Sequence, residues 1–403
     1  MSWRAVLAAF CAVRIGIPLV ALAATGHDLR VVPRYDYGPF TGDAPAYYST
    51  ARALISALAG PAALGLVAAV AGGGGAWWLR RRSPVLAVLS LGLGISLAAT
   101  AVVARSGASP AGAVGWSLLW AVPLLPLRAV HAAGHDGAFA SGLVLSLAAN
   151  AATVVATAYA GLHATGRRSV AVAAAGLVAL FPLWMWLLRG AAGWGNGTWA
   201  SDAGLHLTTE PLSTALVAVG CALVLGRLTP LRLACAGLAL GYAFTVRPTN
   251  GIVGVAALAY VVWRERRAAW PLVAGAAVVA PIWVAFLPKR TGYELKPVAD
   301  AAGALFSSSY FGSSWVDSIL WGPRALAILV PVALLGAYVL RRRPALVLLG
   351  VWALSNPAVY SFARATAQHP RYLFASLPAV LVLWAAGAIA VVTSVRGRTV
   401  NLS

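Results

Sequence analysis

The sequence predicts an all-α, polytopic integral membrane protein of about twelve transmembrane helices, within a range of roughly eleven to thirteen. Three observations carry this: its apolar composition, apolar runs that recur along the whole length, and arginines gathered between those runs. The 403 residues are 61% hydrophobic and only 10% charged, whereas soluble domains carry roughly a quarter charged residues. Lipid offers no partners for backbone N–H and C=O groups, so long apolar runs must be helices. A β-barrel would need apolar and polar residues in alternation, and the sequence has none.

The elements follow in order from the charges. The clusters Arg80-Arg81-Arg82, Arg167-Arg168, Arg227 with Arg232, Arg264 to Arg267, Arg341-Arg342-Arg343, and Arg396 with Arg398 read as cytoplasmic anchors, because cytoplasmic loops retain Lys and Arg. Placing them all inside gives spans near 4–24, 61–79, 84–104, 138–162, 169–189, 210–226, 231–246, 249–263, 269–287, 324–340, 344–362 and 372–392, with both termini in the cytoplasm. The run 111–130 must then be an outer-face or re-entrant helix. The net charge of +20 is accounted for by these anchors, and nucleic acid is excluded as a partner. Cys11, Cys221 and Cys235 lie within apolar runs and read as packing residues. The first run contains Arg14 and reads as helix one, not a cleaved leader.

Residues 1–403 form a single transmembrane domain, with outer loops at 25–60, 105–137, 190–209 and 288–323 and no separate soluble domain or internal repeat. Of ten acidic residues, nine (Asp28, Asp36, Asp43, Asp136, Asp202, Glu210, Glu294, Asp300, Asp317) fall on or near the outer side, and Glu265 falls inside. Acids contribute little to topogenesis, so the bias points to an outward-facing polar site; longer outer loops are the plainer alternative. Gly72 to Gly75 lies inside an apolar span without the Lys-Ser/Thr of a phosphate loop, and reads as a close helix-packing face.

The first outer loop contains Asp36-Tyr37-Gly38-Pro39-Phe40 and Gly42-Asp43-Ala44-Pro45-Ala46-Tyr47-Tyr48. Its first half is turn chemistry. From Pro45 the pattern is helical, with Asp43 at the N-cap position, a role that by itself needs no catalysis. Thr208-Thr209-Glu210-Pro211-Leu212 opens a span, Thr245-Val246-Arg247-Pro248-Thr249 turns between two, and Gln368-His369-Pro370-Arg371-Tyr372-Leu373 leads the last.

A long first outer loop with an acid followed by Tyr, together with those three segments, resembles the GT-C superfamily of membrane glycosyltransferases. That superfamily includes protein O-mannosyltransferases, lipid A aminoarabinose transferases, and actinobacterial mannosyl- and arabinosyltransferases. The resemblance is spread over most of the chain. It implies transfer of a monosaccharide from a polyprenyl-phosphate carrier to a glycolipid, polysaccharide or protein acceptor of the cell envelope, at the outer face of a bacterial plasma membrane. Asp43 matches the proposed base of the family, with Asp36 as the fallback. The departures are a second outer loop that holds His131, His135 and Asp136 in place of a clear acidic pair, and no large periplasmic domain.

The residue types suit that chemistry. An Asp within hydrogen-bond reach of an acceptor hydroxyl can take its proton. The leaving phosphate needs no general acid, but its charge must be held, and Arg371, Arg247, Lys289, Arg290 and Lys296 fall at the outer rim. Helix starts at Glu210 and Tyr372 aim positive dipole ends at the same rim. Tyr47, Tyr48, His131, His135, Asp136, Asp202, His206, Glu210 and His369 are the candidates for the sugar or acceptor pocket. Each has a plainer reading: Arg247 and Arg371 as interfacial anchors, Glu210 as a first-turn dipole partner. His131, His135 and Asp136, or Asp202 and His206, have spacings a divalent cation could use but lack a third ligand; no metal or other cofactor is expected to be required. The rival plan is a transporter or flippase for lipid-linked saccharides, which twelve helices with both ends inside also fits.

Overall fold

The computed structural model describes residues 2–24, 44–58, 63–106, 114–130, 135–184, 209–286, 323–361 and 373–395. These include fourteen α-helices, a further helical turn over 181–184 and, among the described residues, no strand. The helices are α1 (Trp3–Ala24), α2 (Ala44–Leu58), α3 (Ala63–Leu79), α4 (Pro84–Arg105), α5 (Val114–Ala129), α6 (His135–Thr165) and α7 (Arg168–Ala179). Then follow α8 (Thr209–Leu225), α9 (Pro230–Val246), α10 (Gly251–Glu265), α11 (Ala269–Phe286), α12 (Pro323–Val339), α13 (Ala345–Ser361) and α14 (Leu377–Val395).

Five described stretches are long and apolar enough to cross a membrane: Trp3–Val20, Pro84–Arg105, Phe139–Thr165, Pro248–Ala285 and Leu377–Val395. The fourth is folded as α10 and α11 with a 3-10 turn, Arg266–Ala268, between them. The chain is a helical, membrane-embedded protein. Its outer surface agrees: Val20, Val70, Val144, Val255, Leu334 and Leu354 are each 65–69% exposed, a pattern that water penalises and hydrocarbon does not.

Short basic turns close five helix pairs: α3–α4, α6–α7, α8–α9, α10–α11 and α12–α13. Local chemistry fixes their geometry. Ser83 and Thr229 cap α4 and α9, accepting from Leu86 N at 3.3 Å and Arg232 N at 3.4 Å, and each is followed by a Pro at the first helical position. Gly166 ends α6 at φ +69°, its N–H bonded to Leu162 O at 2.7 Å; glycine adopts that left-handed conformation at no steric cost. His163 Nδ1 lies 3.0 Å from Ala222 O. A Cβ built on Gly166 would come within 4.0 Å of Arg343 Nη1. Three basic turns therefore meet at one end of the bundle. Near the basic turns the exposed rings of Trp77 and Trp78 and that of Tyr338 lie under Arg80, Arg82 and Arg341, with guanidinium-to-centroid distances of 3.1, 4.6 and 4.0 Å. Arginine over an exposed ring suits a membrane–water boundary.

The expected helix-packing face at Gly72 to Gly75 is half used. A Cβ on Gly72 would sit 2.6 Å from Gly94 Cα, and one on Gly75 would sit 2.5 Å from Ser90 Oγ, whereas Gly73 and Gly74 meet open space. Two of the four glycines thus set the close approach of α3 to α4. The span expected over 169–189 is interrupted: α7 ends at Ala179, Leu180 turns at φ −89°, ψ 5°, and the backbone is helical again over 181–184. Pro182 accounts for the break, because it has no N–H to donate to a carbonyl of the preceding turn.

The core divides into three clusters of buried apolar side chains. The largest runs through α6 to α10, α13 and α14, with Trp352 and Leu348 fully buried. A second joins α2 and α5 to α4, α8, α9 and α11 around Trp116 and Trp120. The third packs α1 against α6, α7 and α14 around Phe181.

Candidate functional site

Helices α8 and α9 form a hairpin whose tight basic turn, 226–229, lies at one end. The opposite end holds the ion pair Arg247 Nη1–Glu210 Oε1 at 3.4 Å. Glu210 occupies the first turn of α8, where a carboxylate complements the helix dipole. Arg247 caps α9, its N–H bonded to Ala243 O at 2.8 Å. The Glu210 side chain is 4% exposed and that of Arg247 14%, so the cation is the member of the pair that reaches the surface.

Beyond Arg247 the chain makes a 3-10 turn, Pro248–Asn250, before entering α10. Asn250, buried, donates through Nδ2 to Ser213 Oγ at 2.8 Å and to Ala243 O at 2.9 Å. It thereby ties the turn to both helices of the hairpin. Thr214 Oγ1 donates to Glu210 O at 2.7 Å. The turn also packs against α13, whose Ser355 and Asn356 meet Ser376 before α14: Ser355 Oγ at 3.3 Å and Asn356 N donating at 3.3 Å to Ser376 Oγ. Three buried oxygens of this region, Thr249 Oγ1, Asn250 Oδ1 and Asn356 Oδ1, have no hydrogen-bond partner. Buried polar atoms are ordinarily satisfied, so acceptors of this kind suit a ligand that brings hydroxyl or amide protons.

Helix α2 borders the same region. It begins at Ala44, as the Asp43-x-Pro45 pattern predicts, and packs on α5. Tyr47 is buried in the second cluster with Leu212 and Val246, which neighbour Glu210 and Arg247 in sequence. Its carbonyl accepts from Ser117 Oγ at 3.2 Å. Tyr48 is half-buried, its ring 5.8 Å from that of Trp120 and beneath the Arg52 guanidinium, also at 5.8 Å. Tyr242 OH donates to Gly115 O at 2.6 Å, fastening α9 to the start of α5.

An apolar groove of about 640 Å³ runs between α2, α3, α4 and α5 and reaches α9 and α11. Among its lining residues Arg105 alone is charged, and it ends α4 at the end remote from the Arg80–Arg82 turn.

Of the residues expected from sequence, the structure brings Glu210 and Arg247 into contact, and it places Tyr47 on α2 in the apolar cluster that also holds Leu212 and Val246, with Tyr48 against Trp120. His135 and Asp136 open α6, with side chains outside the described residues. Asp36, Asp43, His131, Asp202, His206, Lys289, Arg290, Lys296, His369 and Arg371 also lie outside the described residues. Sequence reasoning missed Asn250, Ser213, Asn356 and Arg105. The signal for Asn250 was one residue past the Arg247-Pro248-Thr249 turn; that for Arg105 was a cation closing an apolar run at the end remote from Arg80 to Arg82. No protein-family model matches the chain, and no curated protein matches it.

Proposed function

We propose that the chain is a membrane glycosyltransferase of GT-C type. It transfers a monosaccharide from a polyprenyl-phosphate-sugar donor to a cell-envelope acceptor at the outer face, with inversion. In this reading twelve spans cross a bacterial plasma membrane, both termini and the basic turns are cytoplasmic, and the Glu210–Arg247 end faces outward. Asp43, directly before α2, takes the acceptor hydroxyl proton. The acceptor oxygen bonds to the anomeric carbon as the carbon–oxygen bond to phosphate breaks, and polyprenyl phosphate leaves as an anion. One displacement inverts the centre.

The observation that carries the proposal is the neighbourhood of three features. The helix that follows Asp43 shares one apolar cluster with the hairpin that carries Glu210 and Arg247, the unpartnered oxygens of Thr249 and Asn250 follow Arg247 directly, and the apolar groove containing Arg105 is lined by both α2 and α9. A guanidinium is suited to a phosphate, apolar walls to a prenyl chain, and orphaned acceptors to sugar hydroxyls. Mannose or arabinose as the sugar follows from the resemblance and rests on analogy.

Arg14, buried at mid-helix in α1, is the feature that favours the rival reading as a transporter or flippase, because buried ionisable groups mark transport pathways. The test is an assay of the purified chain in proteoliposomes with polyprenyl-phosphate mannose and polyprenyl-phosphate arabinose. Sugar transfer by the native chain and none by a folded Asp43→Asn variant supports the enzyme. Full transfer in that variant removes Asp43 as base, and lipid-linked sugar crossing the bilayer without turnover supports the rival.

A further inference from the structure

Arg14 lies eleven residues into α1 (Trp3–Ala24) and is 4% exposed. Its Nη2 donates to Asn150 Oδ1 of α6 at 3.0 Å, and its guanidinium lies 5.8 Å from the centroid of Phe181. Its Nε and Nη1 are buried and have no hydrogen-bond partner. Among the described residues no carboxylate is paired with it. A cation taken from water without a counter-charge is costly, a cost that a bound anion would offset.

The surroundings fit one. Arg14 lines a narrow chamber of about 20 Å³, together with Asn150, Thr153, Phe181, Thr214 and Phe374. That space suits about one water-sized particle, the size of a small monatomic anion. The remaining walls include Pro211 in the first turn of α8 and Leu377 and Pro378 in the first turn of α14. The first turns of α8 and α14 thus border the chamber, where their dipoles favour an anion. The Thr153 and Thr214 hydroxyls donate to Ala149 O at 2.9 Å and Glu210 O at 2.7 Å. As rotors they can turn those protons onto an anion.

We infer that Arg14, with Asn150 and the first turns of α8 and α14, forms an intramembrane binding site for a monatomic anion of halide size. The site is separate from the Glu210–Arg247 region, although α8 contributes to both. An anion bound there neutralises α1 against α6, α8 and α14 and locks the helices beneath the outward end.

The test follows thermal unfolding of the full chain in detergent, with sodium chloride replaced stepwise by sodium gluconate at constant ionic strength. Chloride and bromide are expected to raise the unfolding midpoint saturably by about 2 °C or more. Arg14→Gln should abolish the dependence. Should that variant fail to accumulate, Thr153→Leu, which fills the chamber and keeps the guanidinium, should abolish it instead. Equal midpoints in chloride and gluconate, as for a chamber that holds only water, overturn the inference. So does a halide shift that survives either variant. The readout is stability and not sugar transfer, so this result is independent of the proposed activity.

Discussion

Arg247 Nη1 stands 3.4 Å from Glu210 Oε1 and joins the C-cap of one helix of a hairpin to the first turn of the other. Glu210 is the more deeply buried partner. Removing one member of a buried pair strands the other charge, at a cost of about 3–5 kcal/mol. Arg247→Gln is therefore expected to destabilise the chain by about 3 kcal/mol, and Glu210→Gln with Arg247→Gln to recover part of that loss. Thermal unfolding of the two single variants and the double variant measures the coupling. Additive losses would show that the pair contributes nothing.

Asn250 is the strut beneath that pair. Its amide donates to Ser213 Oγ on α8 and to Ala243 O on α9. Asn250→Leu leaves both acceptors buried, so about 1–3 kcal/mol of stability should be lost. If the turn also positions Arg247 for the donor phosphate, the same variant should raise KM for donor more than it lowers kcal-scale stability alone would suggest, while Ser213→Ala should have the smaller effect. Steady-state kinetics on folded protein separates the two contributions.

Two neighbouring glycines offer a sharper contrast. A methyl on Gly72 would meet Gly94 Cα at 2.6 Å and Ser90 O at 2.8 Å, both backbone atoms that cannot swing aside. Gly72→Ala should force α3 from α4 and cost about 1–3 kcal/mol. Gly73 faces open space, so Gly73→Ala should be neutral or stabilising by up to about 1 kcal/mol through helix propensity. Denaturation of both variants side by side checks the pair.

How much of this was legible in the sequence depends on the length scale of the signal. Apolar runs and arginine clusters act over whole helices, and the described helices begin and end within a few residues of the expected spans from α8 to α13. The start of α2 at Ala44 was legible because an N-cap residue and a proline mark a helix start locally. The break after α7 was missed because hydropathy continues through Leu180 and Pro182 while the helical hydrogen bonding is interrupted there. Glu210 and Arg247 could be named as candidates from their turns, but their contact depends on α8 and α9 folding back on each other. Asn150 as the partner of Arg14, 136 residues away, had no local signature at all.

The groove gives the most discriminating test of the proposed donor. Its walls are apolar apart from Arg105, and Ala69 and Ala98 line it from α3 and α4. Ala98→Phe would occupy part of the space, so a long prenyl chain should bind less well while a short-chain analogue is unaffected. Arg105→Gln acts on the headgroup instead and should raise KM for both donors alike, by about tenfold for a lost charge-assisted contact of roughly 1.5 kcal/mol. Donors of two chain lengths assayed against both variants give four KM ratios. A chain-length effect confined to Ala98→Phe, with a uniform effect of Arg105→Gln, assigns tail and phosphate to the two ends of one groove. Equal kinetics in all four cases would place the donor elsewhere on the protein.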